Sequence, residues 1–176
     1  VTRTVSGIVP KLEAAGIPYR MPTLRGHGTF FSDMSGVTAA DWFADAEAAL
    51  LGLAKEVDKV VVMGLSMGGL VALDLGIEHP DQVAGVVTLA AALRFADPLA
   101  FATPLMAKLV STWPAPDGFN DRSLALGSEN YPRFTTDAFL SLYYYAQAIE
   151  AKLPRLNVPL CVLHSKRDTV IAPRAA

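Results

Sequence analysis

The stretch from Lys59 to Leu73 constrains this chain more than any other. Val60, Val61 and Val62 form a β-branched run that favours a strand. Gly64-Leu65-Ser66-Met67-Gly68 follows, and residues 70–76 are compatible with a helix. A strand, a sharp turn and a helix are the setting in which a G-x-S-x-G pattern acquires chemical meaning. Such a tight turn holds its central Ser66 at strained backbone angles. Gly64 and Gly68 are both expected to be required, because a Cβ at either position would clash with the neighbouring strand or helix. The strain lifts the Ser66 hydroxyl above the sheet, onto the N-terminus of the following helix. Free N–H groups and the helix dipole favour a developing negative charge there. The bland alternative is a glycine-rich strand-to-helix turn with no chemistry at Ser66.

A chain of 176 residues is long enough for one domain with a sizeable core. Its 52% hydrophobic and 18% charged content suits a parallel sheet buried on both faces. A net charge of −2 gives no footprint for nucleic acid. The longest apolar runs are broken by Gly, Ser or Thr and are too short to span a bilayer. The single cysteine, Cys161, cannot form an internal disulfide and fits a reducing, cytoplasmic compartment. It lies in a β-run, so a buried thiol is expected. The chain begins at Val1 rather than Met and stops shortly after its last motif. It reads as an internal fragment, silent about any signal peptide.

In order, Val5, Ile8, Val9 and Leu12 recur at helical spacing and Gly16 follows as a C-cap, which predicts a helix packed on a sheet. Residues 17–23 read as a first strand, made irregular by Pro18 and Pro22. Residues 25–33 form a Gly-rich loop. Its His27 is read as a loop histidine fixed by local hydrogen bonds. Thr38 with Asp41 reads as a helix N-cap and a weak capping box. That helix runs through Trp42, Ala46, Leu50 and Leu53. His79-Pro80 ends the helix after the turn, leaving His79 as a helix-end residue. Residues 83–89 form a third strand and 160–164 a fourth.

Between them, from Arg94 to about Ala151, prolines break the pattern and aromatics are dense: Phe95, Phe101, Trp113, Tyr131, Phe134, Phe139 and Tyr143 among them. An insert after the carboxyl end of a strand is where open α/β sheets place binding loops. Residues 94–151 therefore read as a small, mainly helical cap over Ser66. The alternative is a solvent-side excursion whose aromatics pack on themselves. Asp168 follows the fourth strand, and His164 is read as a polar strand-end residue.

Gly64-Leu65-Ser66-Met67-Gly68-Gly69 resembles the α/β-hydrolase superfamily, and within it bacterial carboxylesterases and monoacylglycerol lipases. Leu24-Arg-Gly-His-Gly28, Thr38-Ala-Ala-Asp-Trp42 and the segment 159–173 around Asp168 resemble further parts of that family. The resemblance implies a parallel-sheet α/β-hydrolase core, incomplete, with about four strands and a cap insert. Its parts are residues 1–93 (core with the Ser66 turn), 94–151 (cap) and 152–176 (last strand and acid loop). It also implies that strands at residues 60, 83 and 160 are direct neighbours. The strand at residue 17 would stand roughly 9–10 Å from that at residue 60, across a vacancy.

The resemblance further implies acyl transfer. Ser66 is the nucleophile, the Met67 N–H holds the oxyanion, and Asp168 orients a histidine. In this chain order the histidine comes last, beyond Ala176, and the second oxyanion donor precedes residue 1. His27 is not the triad histidine of that family. No cofactor or metal is implied. The implied substrate is a small apolar ester, with no nucleic-acid partner and no membrane span. Oligomeric state is left open. Other α/β-hydrolase reactions (C–C hydrolase, aminopeptidase, cofactor-free haloperoxidase) stay open, as does a non-catalytic protein that binds a hydrophobic ligand.

Overall fold

A computed structural model describes residues 5–115 and 131–176. At its centre are three parallel strands: β1 (Val60–Leu65), β2 (Val83–Leu89) and β5 (Leu160–Leu163), in the order β1-β2-β5. Val62 pairs with Val86 and Gly64 with Thr88; Val86 pairs with Leu160 and Thr88 with Val162. The neighbour relations expected from the resemblance are therefore present. Because register partners point to the same side, Val62, Val86 and Thr88 face one way and Val61, Met63, Val87, Cys161 and Leu163 the other.

Three helices fill the first side. α3 (Met67–Glu78) is buried continuously from Gly69 to Ile77, as befits a helix that is apolar nearly all round, Asp74 excepted. It lies close on the sheet because Gly76 has no side chain: a Cβ there would sit 2.5 Å from the Val86 methyl. α2 (Ala39–Leu53) packs its Trp42, Ala46, Leu50 and Leu53 stripe inward. The Thr38–Asp41 capping box forms, with the Thr38 N–H donating to Asp41 at 2.9 Å. α5 (Thr136–Lys152) completes the layer through Ala138, Tyr145, Ala146 and Ile149. Full burial of each large side chain here contributes roughly 1.5–3 kcal/mol.

The N-terminal segment departs from expectation. α1 (Val9–Ala14) forms, with Pro10 in its first turn and Gly16 at φ 65°, but buries no residue. Residues 17–23 form no strand and make no ladder bonds to β1. Pro18 and Pro22 lack ladder donors, and Ile17 is 50% exposed. Without a strand beneath it, the apolar stripe of α1 has no surface to cover.

Cys161 is a second correction: it is exposed. It shares the uncovered side of the sheet with Val61 and Leu163, which are 60% and 52% exposed. Between β2 and β5 lie α4 (Thr103–Leu109), the antiparallel ribbon of β3 (Thr112–Pro114) with β4 (Arg133–Thr135), and α5. The ribbon was not expected from the sequence. Trp113 and Phe134 face each other across it, and such a cross-strand aromatic pair stabilises a short ribbon. Among the described residues no helix is long and apolar enough to cross a membrane.

Candidate active site

Ser66 stands between β1 and α3 with φ 54° and ψ −117°. A Cβ makes such angles costly, by about 1–3 kcal/mol, so they persist only where neighbours over-determine them. Three backbone hydrogen bonds do so. The Ser66 N–H donates to the Leu89 carbonyl at 2.9 Å, and the Ser66 carbonyl accepts from Gly69 at 2.9 Å and Ala92 at 3.1 Å. The end of β2 and the residues after it thus grip the turn from the side.

Gly64 is indispensable to this geometry: a Cβ would lie 1.9 Å from the Gly68 carbonyl oxygen. Gly68 itself corrects the sequence reading, because a Cβ there would meet nothing within 4 Å. The second glycine required for space is Gly69, where a Cβ would come within 2.8 Å of the Ala91 Cβ. Gly68 serves by its backbone, which occupies the space a Gly64 side chain would take. Met67 is the first residue of α3. Its N–H belongs to the helix's first turn, whose donors have no intrahelical acceptor.

Asp168 lies in the loop that follows β5. Since the strands are parallel, Ser66 and Asp168 leave the same, carboxyl edge of the sheet. The Asp168 Oδ1 accepts from the Val170 and Ile171 N–H groups, each at 2.9 Å. Its Oδ2 is 3.5 Å from His164 Nε2.

Two of the three histidines, His27 and His79, are engaged away from Asp168, and the third, His164, lies against it. His27 sets Nδ1 3.1 Å from the Arg25 carbonyl, so that nitrogen carries the proton and donates. Burial holds its imidazole below the usual histidine range, against the opposing pull of the carbonyl bonds. It stays neutral at pH 7. His79 lies past the far end of α3, about 18 Å from its start, bonded to Glu47 at 2.6 Å and stacked on Phe43. His164 is buried, with Nε2 3.3 Å from the Ile171 carbonyl. It lines a cavity of about 240 Å³ with Leu73, Thr88, Leu160 and Val162, on the α3 side of the sheet.

One polar group of consequence is absent from the sequence reading. Asp74, in the middle of α3, is 5% exposed. Tyr145 donates to its Oδ2 and Lys152 to its Oδ1, each at 2.9 Å. Lys152 also reaches Glu78 at 3.0 Å. Burial, with the Asp74 charge and hydrogen bond adding to it, pushes the Tyr145 phenol far up. An acid inside the apolar run of residues 70–77 was the available signal, because a buried carboxylate demands partners. Loop 25–29 is also stitched to the chain before α5: Tyr131 donates to the Gly26 carbonyl at 3.2 Å and accepts from Thr29 at 3.0 Å. Among the described residues no cluster of His, Cys, Asp or Glu is grouped to hold a metal ion.

Comparison with known proteins places this geometry. A family model described as serine aminopeptidase, S33 matches residues 2–176. The thermostable monoacylglycerol lipase of Bacillus sp. (strain H-257) is 30% identical over 175 residues, covering 98% of this chain and 69% of that protein. A structure reported for LipS and LipT, two metagenome-derived lipolytic enzymes, superposes with a TM-score of 0.86 at 28% identity, over 99% of this chain and 71% of that one. The monoacylglycerol lipase of Paleococcus ferrophilus shares the fold, with a TM-score of 0.77 at 17% identity, over 96% of this chain and 70% of that one.

Proposed function

The chain belongs to the α/β-hydrolase family described as serine aminopeptidase, S33, and from that premise we propose that it is the core of a serine hydrolase that cleaves carboxylic esters. The observation that carries this reading is the left-handed Ser66, at φ 54°, on the sheet edge from which Asp168 also departs. The lipolytic relatives favour an ester with an apolar acyl group.

In this reading the Ser66 Oγ attacks the ester carbonyl and passes its proton to a histidine. The oxyanion is held by the Met67 N–H, at the positive end of α3. The alcohol leaves with the proton, and water then releases the acid from the acyl-Ser66 by the same route. Asp168 holds the histidine in the tautomer the proton transfer needs. With Oδ1 committed to its own loop, Oδ2 is the oxygen that would accept from the imidazole. The described residues of the 94–151 insert act as a cap, their aromatic side chains forming the wall that receives the acyl group; residues 116–130 of it lie outside the described residues.

The base, in this reading, is a histidine of the full-length protein that follows Asp168. His27 and His79 are held by the partners described above, and His164, 3.5 Å from the Asp168 Oδ2, precedes the acid in the chain, against the Ser-Asp-His order of this family. The 176-residue chain alone is then expected to hydrolyse esters only through residual oxyanion stabilisation and binding, several orders of magnitude below the full-length protein. The test compares the two on p-nitrophenyl esters of increasing acyl length. The full-length protein should turn over medium chains, and Ser66→Ala should remove about 10⁴-fold or more of kcat. An aminoacyl p-nitroanilide hydrolysed faster than any ester would replace this reading with the aminopeptidase one.

A further inference from the structure

The Asp168 loop is not fixed by the sheet alone. Its carboxylate takes the N–H groups of Val170 and Ile171, so its orientation follows the backbone of residues 170–172. That backbone is strapped to the chain leaving β2. Ala96 donates to the Val170 carbonyl at 2.9 Å, Ala172 donates to the Arg94 carbonyl at 2.8 Å, and Phe95 and Ile171 form an antiparallel bridge.

The strap is in turn held by α5. The Phe95 ring lies 5.2 Å from that of Phe139 and 6.5 Å from that of Tyr143, one helical turn further on. Arg94 pairs with Glu150 on the same helix. On the sheet side the Ile171 carbonyl has only the longer 3.3 Å contact to His164. The strap bonds, made by Val170 and Ala172 on either side of Ile171, are shorter and more numerous than the His164 contact.

We infer that Phe95 is a positioning residue, which carries the placement of α5 through Ile171 to the Asp168 carboxylate. This rests on the reading of Asp168 as the triad acid. The bland account is that Phe95, Phe139 and Tyr143 only fill space. The two differ in what they do to the reaction. Lost packing lowers stability, whereas lost coupling misplaces the acid and lowers kcat with KM little changed. Misplacement of a catalytic group by about 1 Å costs up to a hundredfold in rate.

The test is a double-mutant cycle in the full-length protein, read on a p-nitrophenyl ester. Phe95→Ala should lower kcat by about tenfold or more with KM held within about twofold, and Phe95→Tyr should restore it. In an Asp168→Asn background, Phe95→Ala should cost less than about twofold, because there is no charged acid left to misplace. Equal losses in both backgrounds, or a loss confined to KM, would overturn the coupling while leaving Asp168 as the acid. A wild-type kcat in Asp168→Asn would instead overturn the acid assignment, and the coupling with it. Should Phe95→Ala not fold, Phe139→Leu, which removes the closest ring without touching the strap, is read in the same way.

Discussion

Ser66 and Asp168 leave the same sheet edge but are held by opposite means. The Ser66 turn is self-contained: one strand, one helix and the end of the adjoining strand fix it, and its strain is absorbed by bonds to Leu89, Gly69 and Ala92. The Asp168 loop has local bonds to Ser165 and His164 but is held at a distance as well. Its further anchors are Arg94, Phe95 and Ala96, more than seventy residues earlier, and behind them rings on α5. A turn fixed locally resists change elsewhere in the molecule. A loop fixed through an insert follows whatever the insert does. Under the proposed roles, the nucleophile is the member held by its immediate surroundings and the acid the one held through the insert.

The largest effect that could break this contrast lies at Gly64. Gly64→Ala forces a Cβ to within 1.9 Å of the Gly68 oxygen. It should destabilise the chain by at least about 4 kcal/mol, or prevent folding, as urea unfolding would record. A near-normal midpoint would mean that the turn is not tight. Second in size is Asp74→Ala. Asp74 joins α3 to α5 through Tyr145 and Lys152, so it is the buried polar link between the two helices. Its removal strands a buried phenol and leaves the Lys152 ammonium with Glu78, at a cost of about 2–3 kcal/mol. A smaller loss for Tyr145→Phe, about 1 kcal/mol, would sharpen the assignment.

Asp137 comes next. It lies in the first turn of α5, where it accepts from the next residue, Ala138, at 2.8 Å, and from Gly36 at 2.7 Å and Ser35 at 3.1 Å. Partial burial pushes its carboxyl up, but these hydrogen bonds outweigh it and hold the carboxyl below the usual range. A depressed acid stabilises the fold above its unfolded pKa, near 4. That contribution fades as pH falls through the lower folded value. Asp137→Asn should therefore cost about 1 kcal/mol or less at pH 7, after solvent screening, and less still at pH 3. A cost that grew on acidification would contradict the assignment. Smallest is Gly68→Ala, with open space for its Cβ and helical propensity in its favour. The stability change should lie between nil and a gain of about 1 kcal/mol.

The same contrast explains what was legible beforehand. The strand, turn and helix around Ser66 could be read because the pattern that specifies them lies within a few residues, although bonds from Leu89 and Ala92 complete the turn; the Thr38–Asp41 cap was readable for the same reason. The order β1-β2-β5 came from the resemblance rather than from periodicity. Residues 17–23 were misread because a β-like run needs a neighbour, and the prolines at 18 and 22 already argued against one. Gly68 was misassigned because a motif names which residues are glycine but not which atoms approach them. Cys161 was expected to be buried because a β-run does not say which side of a sheet is covered. Phe95 left no signal beyond aromatic density, since its partner Ile171 is distant in sequence.

The central claim is that Ser66 is the nucleophile. Its most direct test is to treat the full-length protein with a fluorophosphonate and map the adduct by peptide mass spectrometry. The account predicts one phosphonylated residue, Ser66, with loss of esterase activity in proportion to labelling and no adduct in Ser66→Ala. An adduct on another residue, or hydrolysis that survives Ser66→Ala, would contradict it.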